Sequence, residues 1–290
     1  MIRLRRGPNL LATLSMGDLP IELEVREPVL REILTDRYGA FFTDEIGDLT
    51  LEIEPLDRSS SGASPYEPNA ALVDACLTIE SAVLRAEVDF QTGRGTIAVD
   101  VHGSATQYYL ENALRQIVQV LALERDAILM HAAAVAPPSR DRVFLFAGRS
   151  GAGKSTISGI LADVGGTVFS DDLVLLETRG DGPRIVSTPF YGTLPPTNPE
   201  PLSLPLTAAY LLEQAPVAEL SDPAPRAEGV AALMTNVPFT APLDPSAHGR
   251  AMEVLSRTTR VVPVRTLRFR RDDSMCPLIG WGPVCEGMAG

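Results

Sequence analysis

Gly148-Arg149-Ser150-Gly151-Ala152-Gly153-Lys154-Ser155 spells G-x-x-x-x-G-K-[ST], and its flanks decide how it reads. Before it, Val143-Phe144-Leu145-Phe146-Ala147 is a continuous apolar run, the pattern of a strand buried on both faces. After it, helical spacing runs from Lys154 to about Asp163. Strand, glycine-rich turn and helix in that order make a phosphate loop, or Walker A motif. Glycines let backbone N–H groups turn inward around phosphate oxygens. The helix N-terminus adds its partial positive charge. The expected nucleotide-binding stretch is therefore Gly148, Arg149, Ser150, Gly151, Ala152, Gly153, Lys154, Ser155 and Thr156. Lys154 would reach the β- and γ-phosphates of ATP, and the Ser155 hydroxyl would hold Mg²⁺.

The basic composition sharpens this reading. The chain has 24 arginines and a single lysine, Lys154. A lone lysine in an arginine-rich chain belongs where a compact ammonium is needed and a planar guanidinium does not fit.

Working outward, Ser170-Asp171-Asp172 follows the loop helix and a short apolar strand, Gly166 to Phe169. Two adjacent carboxylates at a strand end can divide labour, one holding Mg²⁺ and the other taking a proton from an attacking hydroxyl. His131 sits in the apolar run Ile128–Ala136, just before the loop strand. Neighbouring strands would bring it beside the carboxylates, where it would orient or tune Asp171. His102 and His248 have no such setting and read as surface or loop residues. Arg265, Arg268, Arg270 and Arg271 could form a phosphate clamp, but Arg265 and Arg268 do not share strand parity, and a solvated strand edge is the expectation.

The rest of the chain supplies context. With 290 residues, 45% hydrophobic and 21% charged, it can bury a sizeable core, which excludes general disorder. A net charge of −12 argues against nucleic acid as a partner. No run of about 18 apolar residues occurs, so no membrane span is expected. Met1–Arg6 mimics the start of a signal peptide, but Asn9–Met16 is short and interrupted, so a cytoplasmic protein is expected. Cys76, Cys276 and Cys285 lack metal spacing and read as reduced thiols.

Periodicity predicts a strand at Ile21–Val25, a helix from Pro28 to near Gly39 and a strand at Leu49–Ile53. Asp57–Asn69 reads as a loop. A meander follows over Ala71–Glu80, Ala82–Phe90 and Thr96–Val101, its last turn at Thr92–Gly95. Ser104 is the expected N-cap of a helix from Ala105 to Glu124. After the loop helix, strands are expected at Thr167–Phe169, Leu173–Glu177 and Val261–Phe269, a strand or helix at Ala208–Leu212, and helices near Gly229–Thr235 and Ser246–Thr258. The expected domains are 1–125, an N-terminal α+β region with a role in acceptor recognition, and 126–290, the nucleotide-binding core.

His on a strand, phosphate loop, one helix, then Asp-Asp: this order, in Met130-His131-Ala132, Gly148–Ser155 and Ser170-Asp171-Asp172, resembles the HPr kinase/phosphorylase family and its HPr-kinase-like relatives. Thr188-Pro189-Phe190-Tyr191-Gly192 and Tyr210-Leu211-Leu212-Glu213 look like the relatives encoded with small modified peptides. The resemblance implies an α/β (α+β) fold with a mixed sheet, related to phosphoenolpyruvate carboxykinase. It implies Lys154 and the loop on ATP phosphates, Ser155 and Asp172 on Mg²⁺, and Asp171 as general base with His131 beside it. The family forms hexamers, so it also raises a homo-oligomer. The chain departs from the family pattern at Ala132 and Thr156, and lacks the segment tied to the reverse, phosphate-removing reaction.

The expected function is an ATP- and Mg²⁺-dependent kinase acting on a hydroxyl, with a serine of a small protein or peptide as acceptor. The alternatives are a small-metabolite kinase of the same fold and a non-catalytic, ATP-responsive binding protein.

Overall fold

The structure, a computed structural model, describes residues 10–57, 69–197, 200–238 and 245–281. It is a mixed α/β architecture with two mixed β-sheets and, among the described residues, five α-helices. No described helix is long and apolar enough to cross a membrane. The chain divides into two compact units, residues 1–125 with 239–250, and residues 126–238 with 251–290. The start at Met1–Asn9, most of the loop expected at Asp57–Asn69, and Cys285 lie outside the described residues; Cys76 and Cys276 are free thiols.

In the first unit the elements are β1 (Leu10–Met16), β2 (Leu19–Val25), α1 (Pro28–Tyr38), β3 (Phe42–Thr43), β4 (Leu49–Pro55), β5 (Asn69–Val73), β6 (Cys76–Glu80), β7 (Leu84–Asp89), β8 (Arg94–Val99) and α2 (Thr106–Leu123). The sheet order is β3-β1-β2-β4-β8-β7-β6-β5. Strand β2 alternates as its sequence does, with Leu19, Ile21, Leu23 and Val25 buried. Strand β1 is an addition to the expected elements. It is buried at nearly every position, so it carries no alternation to read. Its polar Thr13 and Ser15 are satisfied by Glu45, through the backbone carbonyl at 2.7 Å and Oε2 at 2.9 Å.

Two local expectations change in this unit. Ala71–Glu80 is not one strand but the hairpin β5–β6, turned at Asp74 (φ 50°) and Ala75 (φ 64°). Both central residues adopt the left-handed conformation of a tight hairpin turn, in a pair without the usual Asn-Gly signal. Ser104 does not cap α2. Thr106 instead donates its hydroxyl to the carbonyls of Asp100 and Gly103, each at 2.8 Å, and the helix starts there.

In the second unit the elements are β9 (Ala127–Ala136), β10 (Val143–Ala147), α3 (Lys154–Asp163), β11 (Thr167–Ser170), β12 (Leu173–Glu177), β13 (Arg184–Val186), β14 (Ser203–Gln214), β15 (Glu219–Leu220), α4 (Arg226–Met234) and β16 (Val264–Phe269), with α5 (Pro245–Thr258) crossing from the first unit into this one. Strands β9 and β14 change partners along their lengths. The first half of β9 pairs with β12, and the second half with β10 and β11. Strand β14 pairs with β13 at its start and, further along, with β10 and β16. Ala208–Leu212 thus belongs to a twelve-residue strand. Strand β16 begins at Val264 and not at Val261.

The consequence for function lies in strand direction. Strands β10, β14 and β16 are parallel, so Ala147, Gln214 and Phe269 end on the same side. Carboxyl ends of parallel strands are where open α/β sheets take ligands. Beneath that edge Phe144, Phe146, Tyr210, Leu212, Leu267 and Phe269 pack with Ile157 and Leu161 of α3. Phe146 and Tyr210 stack with ring centroids 5.4 Å apart, and burial pushes the Tyr210 phenol up to about 12.

Candidate functional site

The chain leaves β10 at Ala147 and turns through Gly148–Gly153 into α3. Two glycines in this turn hold left-handed conformations, Gly151 at φ 80° and Gly153 at φ 107°. At Gly153 the need is also steric, because a Cβ there would lie 2.6 Å from Cζ of Phe269. The turn is tied down from outside. Gln214, the last residue of β14, donates its side-chain amide to the Gly151 carbonyl at 2.9 Å. Asn236, just beyond α4, accepts the Gly148 N–H on Oδ1 at 3.0 Å, and its backbone carbonyl accepts the His131 N–H at 2.7 Å. One residue thus fixes both the start of the loop and the strand position of the histidine.

Lys154 is the first residue of α3 and only 7% exposed. Its ammonium donates to the Gly148 carbonyl at 2.8 Å, folding the side chain back across the loop. Burial pushes its pKa below the ordinary lysine value, while the charges of Asp172 and Asp171 oppose that shift. The ammonium and the two carboxylates therefore share one electrostatic environment.

The acid pair sits at the end of β11. The Ser170 hydroxyl donates to the Phe190 carbonyl at 2.7 Å and accepts the N–H groups of Asp172 (3.0 Å) and Leu173 (3.2 Å), which shapes the turn. Asp171 is 3% exposed, and its carboxylate is heavily engaged. Oδ1 accepts the Gly192 N–H at 2.7 Å. Oδ2 accepts the N–H groups of Thr193 and Leu194, at 3.2 and 3.1 Å, and the Thr193 hydroxyl at 3.3 Å. Asp172 is more open, and its Oδ1 lies 3.5 Å from Nε2 of His131. The antiparallel pairing of β12 with β9 sets His131 opposite Leu173, which brings the histidine to the acid pair. Nε2 of His131 thus reaches the more open carboxylate of the expected acid pair, Asp172.

These residues line one cavity of about 360 Å³: His131, Ser150, Gly151, Gly153, Lys154, Ser155, Thr156, Asp171 and Asp172, joined by Gly192, Thr193, Gln214 and Arg271. Arg149 and Ala152 face an adjoining groove with Leu212 and Glu213. Gly148 sits behind, as the acceptor for Lys154. Thr193, Gln214 and Asn236 carry no signal in the sequence. Gly192 lies in the Thr188–Gly192 stretch, which carries one through its family resemblance. Of the four C-terminal arginines, Arg268 follows the solvated-edge expectation, paired with Glu213 and Glu219, whereas Arg271 reaches the cavity.

The described residues contain no cluster of three or more His, Cys, Asp or Glu that could hold a metal by itself. The donor set fits a different binding mode. Asp172 and Ser155 line the same cavity as the loop glycines. Mg²⁺ in phosphoryl-transfer sites takes one or two carboxylates, with substrate phosphates and water completing its shell. Neither a protein-family model nor a curated protein matches the chain.

Proposed function

We propose that this protein is an ATP- and Mg²⁺-dependent kinase that transfers the γ-phosphoryl group to a hydroxyl, with a serine of a small protein or peptide as acceptor. The observation that carries the reading is the convergence of Lys154, Ser155, Asp171, Asp172 and His131 on one cavity walled by the glycine loop. The succession β9, β10, loop, α3, β11 and acid pair supports an HPr-kinase-like core related to phosphoenolpyruvate carboxykinase. A cytoplasmic location, where ATP and Mg²⁺ are abundant, belongs to the same reading.

Each group has a role that its surroundings suit. The loop N–H groups and the α3 N-terminus hold the phosphates, and the phosphates draw Lys154 off its carbonyl. Ser155 and Asp172 hold the magnesium ion, which neutralises charge on the β- and γ-phosphates when bound. His131 fixes Asp172 by its position at 3.5 Å. Asp171 takes the acceptor proton through Oδ1, which accepts one hydrogen bond and keeps a lone pair, while the three donors on Oδ2 anchor the carboxylate. The acceptor oxygen bonds to the γ-phosphorus as the bond to the β,γ-bridging oxygen breaks, and ADP leaves with that electron pair. Positioning and charge neutralisation do most of the catalysis.

The test is transfer of label from γ-labelled ATP, with Mg²⁺, to the small proteins and peptides encoded nearby, with Lys154→Ala and Asp171→Asn in parallel. Label on an acceptor, lost in both variants, supports the kinase. Nucleotide binding without transfer turns the search to small hydroxyl compounds, and binding that alters only affinity for a partner replaces the kinase with a nucleotide switch.

A further inference from the structure

Four arginines cluster at the end of the second unit, and three of them are committed. Arg265 donates to the Ser221 carbonyl at 3.1 Å. Arg268 pairs with Glu213 and Glu219, each at 3.0 Å. Arg270 pairs with Asp272 at 2.6 Å. Arg271 has no hydrogen bond or ion pair among the described residues, yet it lines the cavity that holds Lys154, Asp171 and Asp172. An arginine that shares a cavity with two carboxylates and pairs with neither leaves room there for an anion.

Its backbone is held on both sides. Two residues earlier, Phe269 is buried, packs against the loop at Gly153 and accepts the Ala215 N–H at 2.9 Å. After it, Asp272 accepts the Ser274 N–H at 3.1 Å, and Met275 and Cys276 enter the core. The cation is thus mounted on a short span between two anchors, at the carboxyl end of β16. The charge balance calls for it. Lys154 and Arg271 offset Asp171 and Asp172 before any ligand arrives, and a magnesium–triphosphate complex then adds net negative charge.

We infer that Arg271 is the charge clamp for the transferred phosphoryl group. It donates N–H groups to the equatorial oxygens of the γ-phosphoryl while the bond to the acceptor oxygen forms and the bond to the β,γ-bridging oxygen breaks. It is a cation supplied within the same chain for charge that spreads in the transition state, and it acts little on bound ADP. This inference rests on the nucleotide reading of the same cavity.

The test needs no acceptor. ADP with Mg²⁺ and aluminium fluoride places a phosphoryl mimic beyond the β-phosphate, and the affinity of the full chain for ADP is measured with and without the fluoride. Wild type binds ADP more tightly with aluminium fluoride. Arg271→Ala binds ADP alone within about twofold of wild type but loses about tenfold or more of the fluoride-dependent tightening. Arg270→Ala, which removes a cation paired outside the cavity, keeps the wild-type response. Full tightening in Arg271→Ala, or none in wild type that binds ADP, overturns the clamp and leaves the nucleotide reading standing. Failure of wild type to bind ADP overturns both.

Discussion

Oδ1 of Asp171 accepts the Gly192 N–H at 2.7 Å, across 21 residues of sequence. With the bonds of Oδ2 to Thr193 and Leu194, this carboxylate organises the wall of the cavity. Asp171→Asn replaces one acceptor oxygen with an N–H donor facing backbone N–H groups. The expected loss is about 1–3 kcal/mol of stability, because buried donors are left unpaired. Asp172→Asn, with its more open side chain, should leave the unfolding midpoint near wild type while removing the Mg²⁺ dependence of nucleotide binding. Urea unfolding and ADP titrations with and without Mg²⁺ separate the two. Equal midpoints for both variants would refute the anchoring role of Asp171.

Gly151 and Gly153 both hold left-handed conformations, but their surroundings differ. A Cβ at Gly151 meets nothing within 4 Å, whereas at Gly153 it meets Phe269 at 2.6 Å. Gly151→Ala should therefore cost only the backbone penalty, about 1–2 kcal/mol. Gly153→Ala adds an overpacking cost of about 1–3 kcal/mol, because Phe269 is buried and cannot move aside freely. Denaturant titration of the two variants checks this order, and similar losses would show that the clash is relieved elsewhere.

The glycine loop, the strand before it and α3 were legible because their signals are local: an apolar run, a glycine pattern and a helical period, all within Val143–Asp163. The acid pair and His131 were legible as residue types, and their meeting depended on the pairing of β12 with β9. The partners that position them were not. Asn236 follows Thr235 in the turn after α4, Gln214 ends a strand, and Thr193 and Leu194 lie in a segment without periodicity. Each acts through a contact distant in sequence, for which one-dimensional spacing holds no signal. The Asp74-Ala75 turn failed to show for a simpler reason, since neither residue is the glycine or asparagine that a left-handed turn favours.

Lys154 is itself only 7% exposed, and it donates to a carbonyl of the loop. Lys154→Ala should weaken ADP binding by about 10–100-fold, the value of a charge-assisted bond of about 1.5–3 kcal/mol. Lys154→Arg should recover little of this. Five fixed donors on a planar fork replace one compact ammonium where a single loop carbonyl is available. Calorimetric titration with ADP, on variants shown to be folded, gives the comparison. Affinity restored by arginine would mean that positive charge alone is required.

The first unit carries a separate, alkaline prediction. Tyr38 is fully buried, and its hydroxyl donates to Oε2 of Glu111 at 3.4 Å. Arg37 also donates to this carboxylate, at 2.9 and 3.2 Å, and Arg115 pairs with it. Burial first, and then the Glu111 charge, hold the Tyr38 phenol well above its ordinary value, with Arg37 and Arg115 opposing. Below about pH 10 the tyrosine is neutral in both folded and unfolded chains, and its stabilising contribution is fully present. As pH rises past about 10 the unfolded chain releases the proton and the folded one retains it, so stability falls with pH over that window. Tyr38→Phe removes this proton. It should make the fall in urea midpoint above about pH 10 shallower than in wild type. Some slope remains, because Tyr210 in the second unit is also raised, to about 12, and acts with the same sign. Parallel curves for wild type and Tyr38→Phe would show that Tyr38 ionises in the folded chain as readily as in the unfolded one.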